Sequence, residues 1–277
     1  MPHDIDLSRT TVWTRRYGDD AGAPQGPWNE TIARLLGHRS VRAYARQAPP
    51  PGTLETLIAA AQSAATSSNL QTWSVIAVDD KDARAALAAI ANDQAHVAQC
   101  PIFLVWLADL SRLQRLGTAN GARLEGLDYL EMFLVAAIDA ALAAQNAVVA
   151  AESLGLATVY IGALRNDVRR VAALLGLPPG AAPVFGLCIG YEAAGAAAEV
   201  KPRLPQDVVL HRGRYAAHDE AARIADYDRI LAGFSLRNEM SNEGWTKRVL
   251  ARVGSVAALR GRDALRAALA ALGFPLR

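Results

Sequence analysis

Two short basic segments carry the residues of this chain that are best suited to bind an anion. The first is His38-Arg39-Ser40-Val41-Arg42 and the second is Lys201-Pro202-Arg203-Leu204-Pro205. Together they offer four fixed cations, a hydroxyl and an imidazole, which is more than one structural ion pair needs. A phosphate suits this set because its oxygens accept several charge-assisted hydrogen bonds at once. Two solvated basic loops are the alternative that the chemistry leaves open.

The bulk composition is that of a globular protein with no sign of nucleic-acid binding. Of 277 residues, 52% are hydrophobic and 20% charged, and the net charge is only +2. Cys100 and Cys188 lie in apolar runs, so we expect buried free thiols, with a redox or disulfide role as the alternative. The histidines are scattered, so the sequence predicts no metal site.

The chain shows no pattern typical of secretion or membrane insertion. The N-terminus is polar and no apolar segment follows it, which excludes a signal peptide. The long apolar run at 132–151 carries Asp139 near its centre, where a charge costs about 2.5–3.5 kcal/mol on insertion into lipid. We therefore expect a buried helix in a cytoplasmic protein with no membrane partner.

The elements that must position the basic segments are mostly helices around a few apolar strands, an α+β pattern. The sequence predicts strands at 73–78, 101–108, 158–161 and 183–189. It predicts helices at 31–36, from 53, and at 81–92, 128–154, 167–175 (capped by Asn166), 219–234, 245–253 and 256–272. Gly37 ends the first helix and so places His38 just beyond a helix terminus. The helix at 128–154 is apolar on nearly every side and needs protein contact all round, in a core or at a dimer interface.

The chain is predicted to consist of an extension and one large domain. Glycines and prolines between positions 18 and 27 oppose helical structure, so residues 1–27 are expected to be a flexible extension. Residues 28–277 then form a single domain.

Six sequence blocks occur in an order and spacing that are similar to one family. They are GHRSVRAY, AATSSNLQ, QAHVAQCP, AAQNAVVAAESLGLATVYIGALRN, FGLCIGY and KPRLP. Over roughly residues 28–250 the chain resembles the flavin-dependent nitroreductase family, in its branch of oxygen-insensitive NADPH nitroreductases and NADPH flavin reductases. The resemblance implies a nitroreductase-like FMN-binding domain with a small antiparallel sheet wrapped by helices. It also implies an interlocked homodimer with the flavins at the subunit interface.

The resemblance assigns the two basic segments to FMN. His38 and Ser40 would bind phosphate oxygens, and Arg39 the ribityl or pyrimidine side. Lys201 and Arg203 would complete the phosphate site from the far side.

The resemblance also implies which residues border the isoalloxazine ring. Arg42 would lie near N1 and O2 as the catalytic residue, because a fixed guanidinium stabilises the anion left by two-electron reduction. Gln94 would bond the ring edge, although an exposed loop amide is the alternative. The segment whose backbone reaches the ring near N5 would be Tyr160, Ile161, Gly162 and Ala163, with Ala163 replacing a family glycine.

A hydroxylic run is the predicted border between flavin and substrate. Its residues are Thr66, Ser67 and Ser68, which alone would indicate a helix end or a turn. Ser68 and Asn69 would face the substrate, and Asn69 stands where relatives can carry an aromatic residue.

The reductant must use the same pocket, because no GxGxxG motif follows a strand. Arg237 aligns with an arginine that grips the extra phosphate of NADPH in relatives, and Arg165 could add a second cation. A further pair of family arginines is absent, with Asn242 and Glu243 nearby, so NADPH is favoured and NADH stays the alternative.

The predicted function is hydride transfer from NADPH through flavin N5 to nitroaromatics, quinones or free flavin by a ping-pong mechanism. One alternative is a reductase with a dedicated non-nitro substrate, such as an enone or azo compound. The other is a non-catalytic flavin-binding module, against which Arg42 and the glycine-containing segment at 160–164 argue.

Overall fold

The computed structural model describes residues 8–18, 22–196, 198–216, 220–240 and 243–277. Contacts group the chain into two compact units: Met1–Ser40 with Ala197–Leu259, and Val41–Ala196 with Arg260–Arg277. The helices are α1 Arg9–Tyr17, α2 Glu30–Gly37, α3 Thr53–Gln62, α4 Lys81–Ile90, α5 Ala95–Gln99, α6 Ser111–Ala119, α7 Leu130–Ser153, α8 Val168–Leu174, α9 Gln206–Val209, α10 Glu220–Arg237, α11 Trp245–Val253 and α12 Leu265–Ala271.

The second unit is built on a four-stranded antiparallel sheet. Its strands are β1 Trp73–Ala77, β2 Ile102–Asp109, β3 Ala157–Ile161 and β4 Ala181–Gly190, in the order β1-β2-β4-β3. The central strands β2 and β4 are almost wholly buried because helices cover them. The predicted α+β class with a small antiparallel sheet is confirmed.

Helix α7 forms the core of the second unit. Its alanines, including Ala143, Ala144 and Ala147, pack with the buried strand residues Leu104 and Trp106, since small side chains let a helix approach a sheet closely. Among the described residues it is the one helix long and apolar enough to cross a membrane. Its packing against the sheet identifies it as a core helix, as predicted.

One face of α7 is not covered within the single chain. Leu130, Leu134, Ile138 and Leu142 recur every four residues and are 44–56% exposed in the single chain. This row is named the α7 apolar stripe.

Within the extension predicted to be flexible over residues 1–27, residues 9–17 form the helix α1. Val12 is 0% and Trp13 8% exposed, and the Trp13 ring contacts that of Tyr17 at 4.5 Å between centroids. The helix forms because these apolar residues share one face, and the glycines and prolines come after it. Residues 1–7 and 19–21 lie outside the described part of the chain.

Two local predictions are wrong. Asp167, not Asn166, caps α8, because its side chain accepts from the backbone N of Arg170. The helix predicted over 256–272 is interrupted at Arg260 and Gly261, whose φ angles are 55° and 82°, and only α12 is regular. The single domain over residues 28–277 stays a prediction.

Candidate functional site

In the first unit the two basic segments lie against the same arginine. Arg16 of α1 donates from Nη2 to the carbonyl of His38 and from Nη1 to that of Lys201, both at 2.7 Å. The backbone N of Arg203 donates to the carbonyl of Arg16 at 2.9 Å. Segments separated by 158 residues in sequence are thus neighbours in the folded chain.

The second basic segment is also fixed to α10. The hydroxyl of Tyr227 donates to the carbonyl of Pro202 at 3.0 Å, and Lys201 Nζ lies 5.8 Å from the centre of the Phe234 ring. Burial raises the pKa of Tyr227, so its hydroxyl stays a donor at neutral pH.

The predicted phosphate ligands remain accessible while their backbone is held. Ser40 and Arg203 are exposed, and His38, Arg39 and Lys201 are half-buried. This donor set of cations, a hydroxyl and an imidazole fits a phosphate group.

In the second unit, the backbone next to Arg42 is held by hydrogen bonds. The N of the buried Val41 donates to the carbonyl of Thr158 in β3 at 3.0 Å. The Tyr44 hydroxyl donates to the Val41 carbonyl at 2.9 Å, and burial raises the pKa of Tyr44 far above its usual range. The Arg42 side chain is exposed.

Gln94 lies at the start of α5 with its amide nitrogen already engaged. Its Nε2 donates to the carbonyl of Ala91 at 2.8 Å, which leaves its oxygen as the acceptor for a ligand donor. Two residues on, His96 is buried and its Nε2 has no hydrogen-bond partner among the described residues. Burial, and secondarily the charge of Arg42, lower the pKa of His96, which favours the neutral imidazole.

The hydroxylic run forms a loop anchored on α7. Asp139, 2% exposed, accepts from Thr66 Oγ1 at 2.5 Å and from Thr72 Oγ1 at 3.0 Å. It also accepts from the backbone N of Ser67 and of Thr72 at 3.3 and 3.2 Å. We name this group of bonds the Asp139 anchor.

Between the anchored ends the loop has strained backbone. Ser68, Asn69 and Gln71 have φ angles of 49°, 54° and 53°, a left-handed conformation that costs non-glycine residues about 1–2 kcal/mol each. Ser67, Ser68 and Asn69 are exposed.

Tyr160 and Ile161 end β3, and Gly162 and Ala163 begin the short 3₁₀ helix that follows. A Cβ atom at Gly162 would lie 3.3 Å from Nη2 of Arg165, so this glycine makes room for that guanidinium. Arg165 Nη1 donates to the carbonyl of Val184 at 2.5 Å, and this internal bond reduces its capacity to bind a phosphate.

Two charged residues in the segment predicted to recognise NADPH form ion pairs. Arg237, at the end of α10, forms an exposed ion pair with Glu199 at 3.6 Å. Glu243 pairs with Lys247 at 2.7 Å, and that lysine lowers the pKa of Glu243. Asn242 lies outside the described residues.

Sequence reasoning missed Arg16 and the role of Asp139. The signal for Arg16 was its position three residues after Trp13, on the apolar face of a short helix. The signal for Asp139 was a lone acid in an apolar helix, which indicates a buried acceptor for nearby hydroxyl donors.

Comparisons with known proteins agree with the resemblance. A model of the nitroreductase family matches residues 35–191, and a model of the nitroreductase family C-terminal domain matches residues 201–277. The FMN reductase (NADPH) of Bacillus subtilis (strain 168) is 37% identical over 80% of this chain and 90% of its own. The oxygen-insensitive NADPH nitroreductase of Salmonella typhimurium (strain LT2) is 42% identical over 74% of this chain and 82% of its own.

The fold agrees with a solved structure of the same kind. The NADPH:FMN oxidoreductase from Vibrio harveyi, complexed with NAD+, superposes with a TM-score of 0.79 at 34% identity, over 90% of this chain and 100% of that one. The resemblance predicted from the sequence blocks is confirmed. The chain belongs to the nitroreductase family.

Proposed function

We propose that the chain is an FMN-dependent oxidoreductase that moves a hydride from NADPH to nitroaromatics, quinones or free flavin by a ping-pong mechanism. The observation that carries this function is the fixed pair of basic segments in a member of this family. The B. subtilis and S. typhimurium relatives are named as an FMN reductase and a nitroreductase that use NADPH. FMN supplies, when bound, a ring that takes up and gives up a hydride at N5.

His38, Ser40, Lys201 and Arg203 bind the FMN phosphate, with Arg39 on the ribityl or pyrimidine side. Their accessible side chains and the bonded carbonyls at His38, Lys201 and Pro202 support this assignment. A phosphate ligand works best on a fixed backbone because little conformational freedom is then lost on binding.

Arg42 is the proposed catalytic residue, and its positive charge would stabilise the reduced ring near N1 and O2. The bonds of Val41 and Tyr44 keep its backbone in place, so the charge needs no rearrangement as the electron density of the ring changes. Gln94 would bond the ring edge through its amide oxygen. The backbone of Tyr160, Ile161, Gly162 and Ala163 would hold the ring.

Thr66, Ser67 and Ser68 border the flavin, and Ser68 and Asn69 meet the electron acceptor. The exposed side chains at 67–69 support this role. Nicotinamide selectivity depends on Arg237, with Arg165 as a second cation. Because Arg237 and Arg165 already have internal partners, we expect a modest preference for NADPH over NADH.

We further propose that the protein acts as a homodimer in the cytoplasm. The α7 apolar stripe presents four large aliphatic side chains, and a second copy of the chain would remove this surface from water. The buried free thiols of Cys100 and Cys188 suit a reducing compartment.

A visible spectrum of the purified protein tests the function. We expect yellow protein with about one FMN per chain, because each chain carries one such set of phosphate ligands. NADPH should bleach the bound flavin rapidly, and an added nitroaromatic or quinone should restore the colour. Colourless protein that takes up no added FMN would contradict the proposal, and bound flavin that NADPH does not bleach would indicate a non-catalytic binding module.

A further inference from the structure

Arg16 occupies an unusual position for a charged residue of a terminal helix. It is 6% exposed, and its guanidinium donates to three backbone carbonyls of the first unit. Nε and Nη2 donate to Leu36 at 3.1 and 2.7 Å, Nη2 to His38 at 2.7 Å, and Nη1 to Lys201 at 2.7 Å. Two of these carbonyls, those of His38 and Lys201, belong to the two segments that carry the predicted phosphate ligands.

The chemistry of these carbonyls explains why an arginine is needed. Leu36 lies in the last turn of α2, where carbonyls lack partners within the helix and carry the negative end of its dipole. A guanidinium satisfies several acceptors at once with a rigid planar fork. The fork therefore fixes the distance between the end of α2 and the second basic segment.

The bonds from Arg16 to these carbonyls are named the Arg16 clamp. The backbone of α1 adds a further contact with the second basic segment. The backbone N of Arg203 donates to the carbonyl of Arg16, so α1 touches the second segment through both side chain and backbone. The buried Val12 and Trp13 hold α1 itself in the first unit. The match to the family model begins at residue 35, and Arg16 precedes it.

We propose that Arg16 is a positioning residue that sets the spacing of the two phosphate-binding segments, and that α1 thereby tunes the affinity for the FMN phosphate. This inference rests on the proposed function, because it assumes that His38, Ser40, Lys201 and Arg203 bind that phosphate. Arg16 needs no contact with FMN, since it acts through the backbone of its neighbours.

Comparing FMN with riboflavin tests the clamp, because riboflavin has the same ring without the phosphate. Flavin-free full-length protein is titrated with each ligand, and quenching of flavin fluorescence gives the two Kd values. In Arg16→Met the preference for FMN over riboflavin should fall about tenfold, while riboflavin affinity stays near that of the wild type. The matched control is Arg15→Met, which removes the exposed neighbouring arginine of the same helix and should keep the wild-type preference.

A second variant guards against a folding defect in Arg16→Met. Arg16→Lys keeps a charge but loses the planar fork, and it should show a smaller fall in the preference for FMN. Equal weakening of FMN and riboflavin in both variants, or an unchanged preference in both, would overturn the clamp. A wild-type protein that binds the two flavins equally would instead overturn the phosphate assignment itself, and the clamp with it.

Discussion

At the scale of single residues, the candidate site contains exposed charged side chains whose backbone is held by hydrogen bonds. Arg42 and Arg203 are exposed, and the backbone at or beside each is hydrogen-bonded. Exposed ion pairs contribute little to folding because water screens them. These side chains can therefore be replaced with small effects on stability and large effects on a bound anion.

Arg42→Ala should lower the midpoint potential of bound FMN by about 30–60 mV, since a hydrogen bond to a charged group contributes about 1.5–3 kcal/mol. Spectroelectrochemistry on fully loaded protein measures this shift. Arg46→Ala removes an exposed arginine four residues beyond Arg42 and serves as the control. A potential that is unchanged in Arg42→Ala would reject a role beside N1 and O2.

His96 should make the protein less stable in weak acid. Its folded-state pKa is lowered from 6.5, so the unfolded chain binds the proton more tightly, and the free energy of unfolding falls as the pH drops through 6.5. In His96→Gln this part of the pH dependence should disappear, which urea unfolding between pH 5 and 8 would detect. His211→Gln is the matched control, and a variant profile as steep as that of the wild type would contradict the prediction.

At the scale of elements, the Asp139 anchor joins a core helix to the loop that we assign to the substrate. Four donors converge on one carboxylate: two hydroxyls and two backbone N–H groups. Such convergence offsets the cost of burying the charge, and it holds a loop whose backbone is locally strained.

Asp139→Ala should lower the free energy of unfolding by about 3 kcal/mol or more, because buried donors lose their acceptor. Asp139→Asn, which keeps one acceptor oxygen, should lose less. Urea unfolding of both variants provides the measurement. Glu131→Ala changes an exposed acid of the same helix and should have little effect, and a similarly small loss in Asp139→Ala would show that the anchor is unimportant for stability.

The sequence predicted elements well where one local signal dominates. The strands β1 to β4 lie in largely apolar runs, and α11 has the predicted bounds. The sequence did not predict the elements that depend on contacts between residues far apart in the chain. The helix α1 forms because Val12 and Trp13 find a core, which no local pattern specifies, and the end of the chain bends at Gly261, where the prediction gave a continuous helix.

The sequence predicted which residues of the candidate site could bind a ligand, but not which residues hold the backbone of the site in place. The ordered blocks pointed to His38, Arg42 and Lys201 as ligands, roles that stay predictions. Nothing local indicated that Arg16 would bond the carbonyls of His38 and Lys201, because such contacts are set by folding across most of the chain.

At the scale of the whole molecule, the compact units do not follow the order of the sequence. The two family models divide the chain at about residue 200. The first compact unit contains residues from both sides of this division. The predicted phosphate ligands His38 and Lys201 meet in this unit for that reason. Either family segment alone would lack half of the proposed phosphate site.

Ile138→Glu should convert the proposed homodimer into monomers, because two charges would be buried for each dimer that forms. Sedimentation velocity at micromolar concentration measures the outcome. Leu116→Glu is the control, since Leu116 is 57% exposed on α6 and lies outside the α7 apolar stripe. A dimer that persists in Ile138→Glu, or a wild-type protein that is monomeric, would contradict this use of the stripe.

The Asp139 anchor has a consequence for altering the range of electron acceptors by directed evolution. The anchor engages Thr66, Ser67 and Thr72, whereas Ser68 and Asn69 project from the span between the anchored ends. A mutant library restricted to positions 68 and 69 should therefore yield mostly folded, flavin-loaded variants that differ in acceptor preference. A library that also randomises 66 and 72 should consist largely of unfolded protein, because each change leaves a buried carboxylate short of donors.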